Sequence, residues 1–98
     1  MSDIIALYPG TFDPVTNGHL NIMKRALSIS DKLIVAVANN VKKKPLFHIN
    51  DRMKLIEKSV SSLPDFKNLK KKINIRSFDN LLINFAKDNS VSMIVRGL

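Results

Sequence analysis

The stretch Tyr8-Pro9-Gly10-Thr11-Phe12-Asp13-Pro14-Val15-Thr16-Asn17-Gly18-His19 decides how this chain is read. It follows the apolar run Ile4-Ile5-Ala6-Leu7 and precedes Leu20, Met23, Ala26 and Leu27, which recur at helical spacing. A strand therefore delivers a tight turn of Gly, Pro, Asp and Asn to a helix running from about Gly18 to Ser28. Unpaired backbone N–H groups and the positive end of a helix dipole make such a junction an anion site. Gly10, the Thr11 hydroxyl and the single His19 converge there, a set suited to phosphate chemistry.

Outward from this stretch, strands and helices alternate. Ile4–Tyr8 is almost wholly apolar and is expected to lie centrally, in a sheet covered on both faces. Lys32–Ala38 is the clearest strand, β-branched and buried in character. The loop Asn39–Ile49 is polar and basic, with Pro45 barring regular pairing. Asn50 is expected to cap a second helix with Met53, Ile56, Val60 and Leu63 on one face, ended by Pro64-Asp65. Ile73–Ser77 reads as a third strand. Asp79 is expected to cap a third helix with Leu81, Leu82, Phe85 and Ala86 inward, and Ser92–Val95 reads as a fourth strand. No repeat, low-complexity tract or linker interrupts the pattern.

This alternation specifies an α/β fold: a Rossmann-like parallel sheet of about four strands with three helices, one domain over residues 1–98. In such sheets ligands lie beyond the carboxyl ends of the strands. Pro9–His19, Asn39–Phe47 and Arg96 all fall at those ends.

The chain carries 16 Lys and Arg against 8 Asp and Glu, a net charge of +8. The only dense basic runs are Lys42–Lys44 and Lys70–Lys72, and neither is interleaved with aromatic residues as a base-stacking platform would be. A small anionic ligand is the expected partner rather than nucleic acid, and Lys70–Lys72 is read as a solvated basic face. No apolar run approaches the roughly 20 residues that span a bilayer, so no membrane partner is expected. Met1-Ser2-Asp3 opens no signal-peptide pattern, and Cys is absent. A cytoplasmic setting is expected.

The opening stretch resembles the G-x-F-D-P-x-T-x-G-H signature of nucleotidyltransferases of the H-x-G-H class, here in a T-x-G-H form made by Thr16, Gly18 and His19. Lys43-Lys44-Pro45-Leu46-Phe47 resembles the K-K-P-x-F loop of the phosphopantetheine adenylyltransferase family. Ile94-Val95-Arg96-Gly97-Leu98 resembles its V-R-G-L segment, and Leu81-Leu82 with Asn84-Phe85-Ala86 fits the same family. The resemblance runs from about Ile4 to Leu98.

It implies adenylyl transfer from ATP to 4′-phosphopantetheine, giving dephospho-CoA and pyrophosphate, a step of coenzyme A biosynthesis. A phosphate monoester has its second pKa at about 6 and needs no general base to attack. The site must instead screen two polyanions and stabilise charge on the transferred phosphorus. On the resemblance, His19 and Lys43 are catalytic. Gly10, Thr11, Phe12, Gly18 and His19 bind ATP, and Thr11, Lys43, Leu82 and Arg96 bind the second substrate. Asp13 is read as a turn residue bonding its own backbone, and His48 as plain surface. Mg2+ is expected with ATP, with no protein ligand assigned. A homo-oligomer, a hexamer by resemblance, is implied.

In that family an Arg follows R-G-L, then an acidic and aromatic segment and an I-S-S-S motif. The chain is therefore expected to be the N-terminal portion of the family fold, nearly inactive by itself. Pro64–Lys72 also looks longer than usual. Two alternatives remain at this point. One is a cytidylyltransferase of the same class acting on a small phosphoalcohol, which usually carries His where this chain has Thr16 and lacks K-K-P-x-F. The other is a non-catalytic basic fragment or nucleic-acid-binding module.

Overall fold

The computed structural model describes residues 3–39, 45–79 and 82–97, with the backbone alone for Leu82 and Ile83. Its elements alternate as β1 (Ile5–Gly10), α1 (Asn17–Leu27), β2 (Lys32–Ala38), α2 (Ile49–Ser62), β3 (Ile73–Phe78), α3 (Leu82–Asp88) and β4 (Met93–Ile94). The strands form one four-stranded sheet in the order β3-β2-β1-β4, every pair parallel. Ala6 pairs with Leu33 on one side of β1 and with Met93 on the other.

The sheet is covered unequally. On one face α1 and α2 bury Leu20, Met23, Ile56 and Val60 against Ala6, Tyr8, Leu33, Val35 and Val37. On the other, Leu7, Ile34 and Ala36 are covered by Phe85 and Ala86 of α3, with Phe78 and Val91. That β1 and β2 are buried on both faces agrees with their unbroken apolar sequences. No helix among the described residues is long and apolar enough to cross a membrane.

Several boundaries differ from the sequence reading, each for a physical reason. β1 runs on through Pro9 and Gly10, which pair with Ala36 and Val37. A proline is tolerated in this central strand because of its parity. The carbonyls of Ile5 and Leu7 accept from Ser92 and Val95 N–H on the β4 side, both at 2.8 Å. Pro9 shares their parity, so its missing N–H faces β4 beyond the end of that two-residue strand.

The start of α2 is corrected: its N-cap is His48 rather than Asn50, with no side-chain cap bond, and Asn50 lies within the helix. Ile56 and Val60 are buried on α2 as read and Met53 packs partly buried against the core, but the face also carries the buried Arg52 and does not extend to Leu63. Leu63 is 38 % exposed because Pro64 holds it extended at φ −83°, ψ 131°. Between α2 and β3 the chain makes two short 3-10 turns, the first burying Phe66 and the second formed by the exposed Lys70–Lys72. β3 is one residue longer than read and β4 two shorter. Leu81, read as an inward residue of the third helix, lies outside the described residues.

Candidate functional site

At the carboxyl end of β1, Gly10, Phe12, Thr16, Gly18 and His19 line a cavity of about 280 Å³, walled by Tyr8, Ile22 and Gly97. It opens at the first turn of α1, where the dipole and free N–H groups favour an anion. The turn that builds it is tightly packed. Phe12 is 2 % exposed, and its ring meets Tyr8 edge-on at 5.2 Å and His19 at 4.9 Å. Its φ of 50° is left-handed, a conformation costing an L side chain about 1–3 kcal/mol. Gly10 permits the fold-over, since a Cβ there would lie 3.0 Å from the Phe12 ring. Gly97 allows a similar approach: its Cβ would stand 2.7 Å from Ile22 Cδ1 and 3.2 Å from the Tyr8 hydroxyl oxygen.

His19 is held by a reciprocal cap. Thr16, extended at φ −120°, accepts from His19 N–H on its Oγ1 at 3.3 Å. Thr16 N–H donates to His19 Nδ1 at 2.9 Å, the place a Glu or Gln takes in the usual capping box. With Nδ1 accepting, the proton of the neutral imidazole sits on Nε2. Burial pushes the His19 pKa below the ordinary 6.5, which favours that neutral form. Burial also raises the Tyr8 pKa, keeping its hydroxyl protonated.

The other sequence-derived candidates are placed less uniformly. The Thr11 side chain is exposed and is not part of the cavity lining. Arg96 is exposed and lines a neighbouring groove with Ile22, Arg25, Ala26 and Met93–Val95, sharing only Ile22 with the His19 cavity. Lys43 lies outside the described residues, and the side chain of Leu82 is not described. Asp13 is corrected: its carboxylate accepts from Leu46 N–H at 2.6 Å and Phe47 N–H at 2.9 Å, across the turn, rather than from its own neighbours. The lining holds no carboxylate, and no group of three His, Asp or Glu among the described residues is arranged for a metal.

Arg52 escaped the sequence reading. It is 1 % exposed, and donates from Nε to Phe47 O at 3.0 Å and from Nη1 to Thr11 O at 2.8 Å and Ala38 O at 3.0 Å. It makes no ion pair among the described residues, where the two pairs are Lys24–Asp65 and Lys32–Asp3. A buried cation without a counter-charge is costly, so its carbonyl partners are essential to it. Its spacing of four from Ile56, and eight from Val60, was the available signal.

Comparison with known proteins places this geometry. Among curated relatives, the phosphopantetheine adenylyltransferase of Nautilia profundicola is 50 % identical over 95 % of this chain and 56 % of its own length. Those of Campylobacter curvus and Clostridium tetani are 46 % and 45 % identical over 94 % and 96 % of this chain, and 54 % of each relative. The chain thus spans about half the length of the curated relatives it matches. Two solved structures share the fold. The Plasmodium falciparum nicotinic acid mononucleotide adenylyltransferase has a TM-score of 0.77 at 18 % identity, over 99 % of this chain and 52 % of that one. A lipopolysaccharide core biosynthesis protein from Thermoplasma volcanium has 0.69 at 23 %, over 95 % and 73 %. A family model described as cytidylyltransferase-like matches residues 7–98, almost the whole sheet and the entire cavity, and the chain belongs to that family.

Proposed function

We propose that this chain carries the α-phosphate-binding part of a phosphopantetheine adenylyltransferase, transferring the adenylyl group of ATP to 4′-phosphopantetheine. The observation that carries the reading is His19: a neutral imidazole on the first turn of α1, its Nδ1 engaged by Thr16 N–H and its Nε2–H left as donor at the cavity. The curated relatives at 45–50 % identity support the substrate pair.

In this reading a phosphate oxygen of 4′-phosphopantetheine attacks the α-phosphorus, and the bond from that phosphorus to the bridging oxygen breaks, releasing pyrophosphate. No proton need leave the nucleophile. The His19 Nε2–H donates to the non-bridging oxygens as charge builds, and the α1 N-terminus adds fixed positive potential. Gly10 and Gly18 keep the rim clear for the phosphates, and Phe12 braces the imidazole. Thr11 and Arg96 orient the attacking phosphate, Lys43 bridges the two reacting phosphates as a point charge, and Leu82 contacts the pantetheine arm. The cavity lining offers Mg2+ no carboxylate, so in this reading the metal would enter with ATP. A cytoplasmic enzyme assembled as a homo-oligomer, a hexamer on the family resemblance, completes the proposal.

Steady-state kinetics on the active enzyme test it. His19→Ala is expected to lower kcat by about 10²–10³ with little change in KM for ATP, because the donor acts on charge that develops in the transition state. A near-normal kcat removes His19 from the mechanism. The family description favours one second reading, transfer from CTP. Tighter binding of CTP than of ATP in calorimetric titration would establish it instead.

A further inference from the structure

Two chemically different ties join the turn after β1 to the segment entering α2. The Asp13 carboxylate accepts from the amides of Leu46 and Phe47 at 2.6 and 2.9 Å. The Arg52 guanidinium reaches Thr11 O, Ala38 O and Phe47 O at 2.8, 3.0 and 3.0 Å. Ala38 closes β2, and Phe47 stands one residue before the N-cap of α2. The guanidinium therefore gathers three backbone segments at the carboxyl end of the sheet. Arg52 itself is 1 % exposed.

The bond to Thr11 O has a directional effect. A trans peptide is planar, with C=O and N–H pointing opposite ways. Fixing the Thr11 carbonyl on Arg52 thus sends Phe12 N–H away from Arg52, on the residue that lines the cavity. Phe12 also holds φ 50°, so this peptide plane is one the local chain would not choose unaided.

We propose that Arg52 is a positioning residue: with Asp13 it locks the Thr11–Phe12 peptide so that Phe12 N–H is presented to the nucleotide phosphate. This rests on the adenylyltransferase reading for the identity of the ligand. The lock itself does not.

The test uses Arg52→Lys, which keeps the charge but loses the planar fork. In ligand-free chain the Leu46 and Phe47 amides should exchange with deuterium about tenfold faster, the size expected when a charge-assisted bond is lost. Exchange in the paired core of β1 and β2 should stay unchanged. ATP affinity by calorimetry should fall by about tenfold, and the Phe12 amide shift on adding ATP, read by 15N NMR, should shrink. If the loop amides are unchanged, or loosen with no loss of ATP affinity, the proposal is overturned. If the parent chain binds no ATP, the ATP assignment fails and the exchange result decides the lock by itself. Should Arg52→Lys not fold, Asp13→Asn gives a second route, since it weakens the same amides with Arg52 intact. Unchanged exchange there overturns the proposal too.

Discussion

An imidazole whose Nδ1 accepts from a backbone amide can keep its place in only one protonation state. A proton on Nδ1 would set two donors, Thr16 N–H and the ring N–H, against each other. The folded pKa of His19 lies below the ordinary 6.5, with burial as its cause. The folded state therefore binds this proton less readily than the unfolded chain, so the stability linked to His19 is complete above about pH 6.5 and is lost as pH falls through the folded pKa. Urea midpoints should drop from pH 7 to pH 5.5, and His19→Gln, which can still cap, should flatten that slope. Equal slopes in the two proteins would exclude His19 as its source. His19 and Gly10 were legible because each residue type has an obvious task at a strand-to-helix turn, whereas Thr16 entered only as a letter of the motif and its cap was not read. Arg52 was not, because guanidinium groups ordinarily sit at the surface and nothing local in the sequence announces three carbonyls from separate segments. Asp13 failed in the same way: its residue type suggested a bond in the turn, and its partners lie 33 and 34 residues away.

Within α1 one residue serves two ends. Thr16 satisfies an otherwise unpaired N–H of the first turn and, through its own N–H, fixes the tautomer of His19. Lys24 and Arg25 in the last turn complement the opposite dipole end. Thr16→Ala should cost about 0.5–2 kcal/mol by chemical denaturation, the usual range for a lost N-cap, while Thr16→Ser should stay near the parent. Equal destabilisation by Ser and Ala would mean that the methyl group, not the oxygen, matters. The alternation of elements was readable from periodicity, and β2 was found to the residue. Ends were harder. α2 begins where the Asp13 and Arg52 ties hand the chain over, information that resides in distant residues, and its last residues obey Pro64 rather than the apolar pattern.

On the scale of the molecule, the order β3-β2-β1-β4 joins neighbours of very different separation. Ile4 and Asp31, beside the β1–β2 pair, are 27 residues apart; Ile5 and Ser92, beside the β1–β4 pair, are 87 apart. Closing the longer loop costs about 1 kcal/mol more in chain entropy, and β4 repays it with a ladder of only two residues. That the strands run parallel was legible, because strands alternating with helices leave few other connections, but their order was not. The shortness of β4 was not, since Ser92 and Val95 bond to β1 without extending the strand. Assembly should follow the same hierarchy: β1 and β2 dock early around α1, and β4 arrives last. Pulse-labelled exchange during refolding should show the amides of Ser92 and Val95 gaining protection after those of β2; simultaneous protection would refute the sequence of events. Gly97, one wall of the His19 cavity, comes with this late segment. The pocket is thus completed only in the final act of folding, and a partly folded chain would hold its capped histidine against an open side.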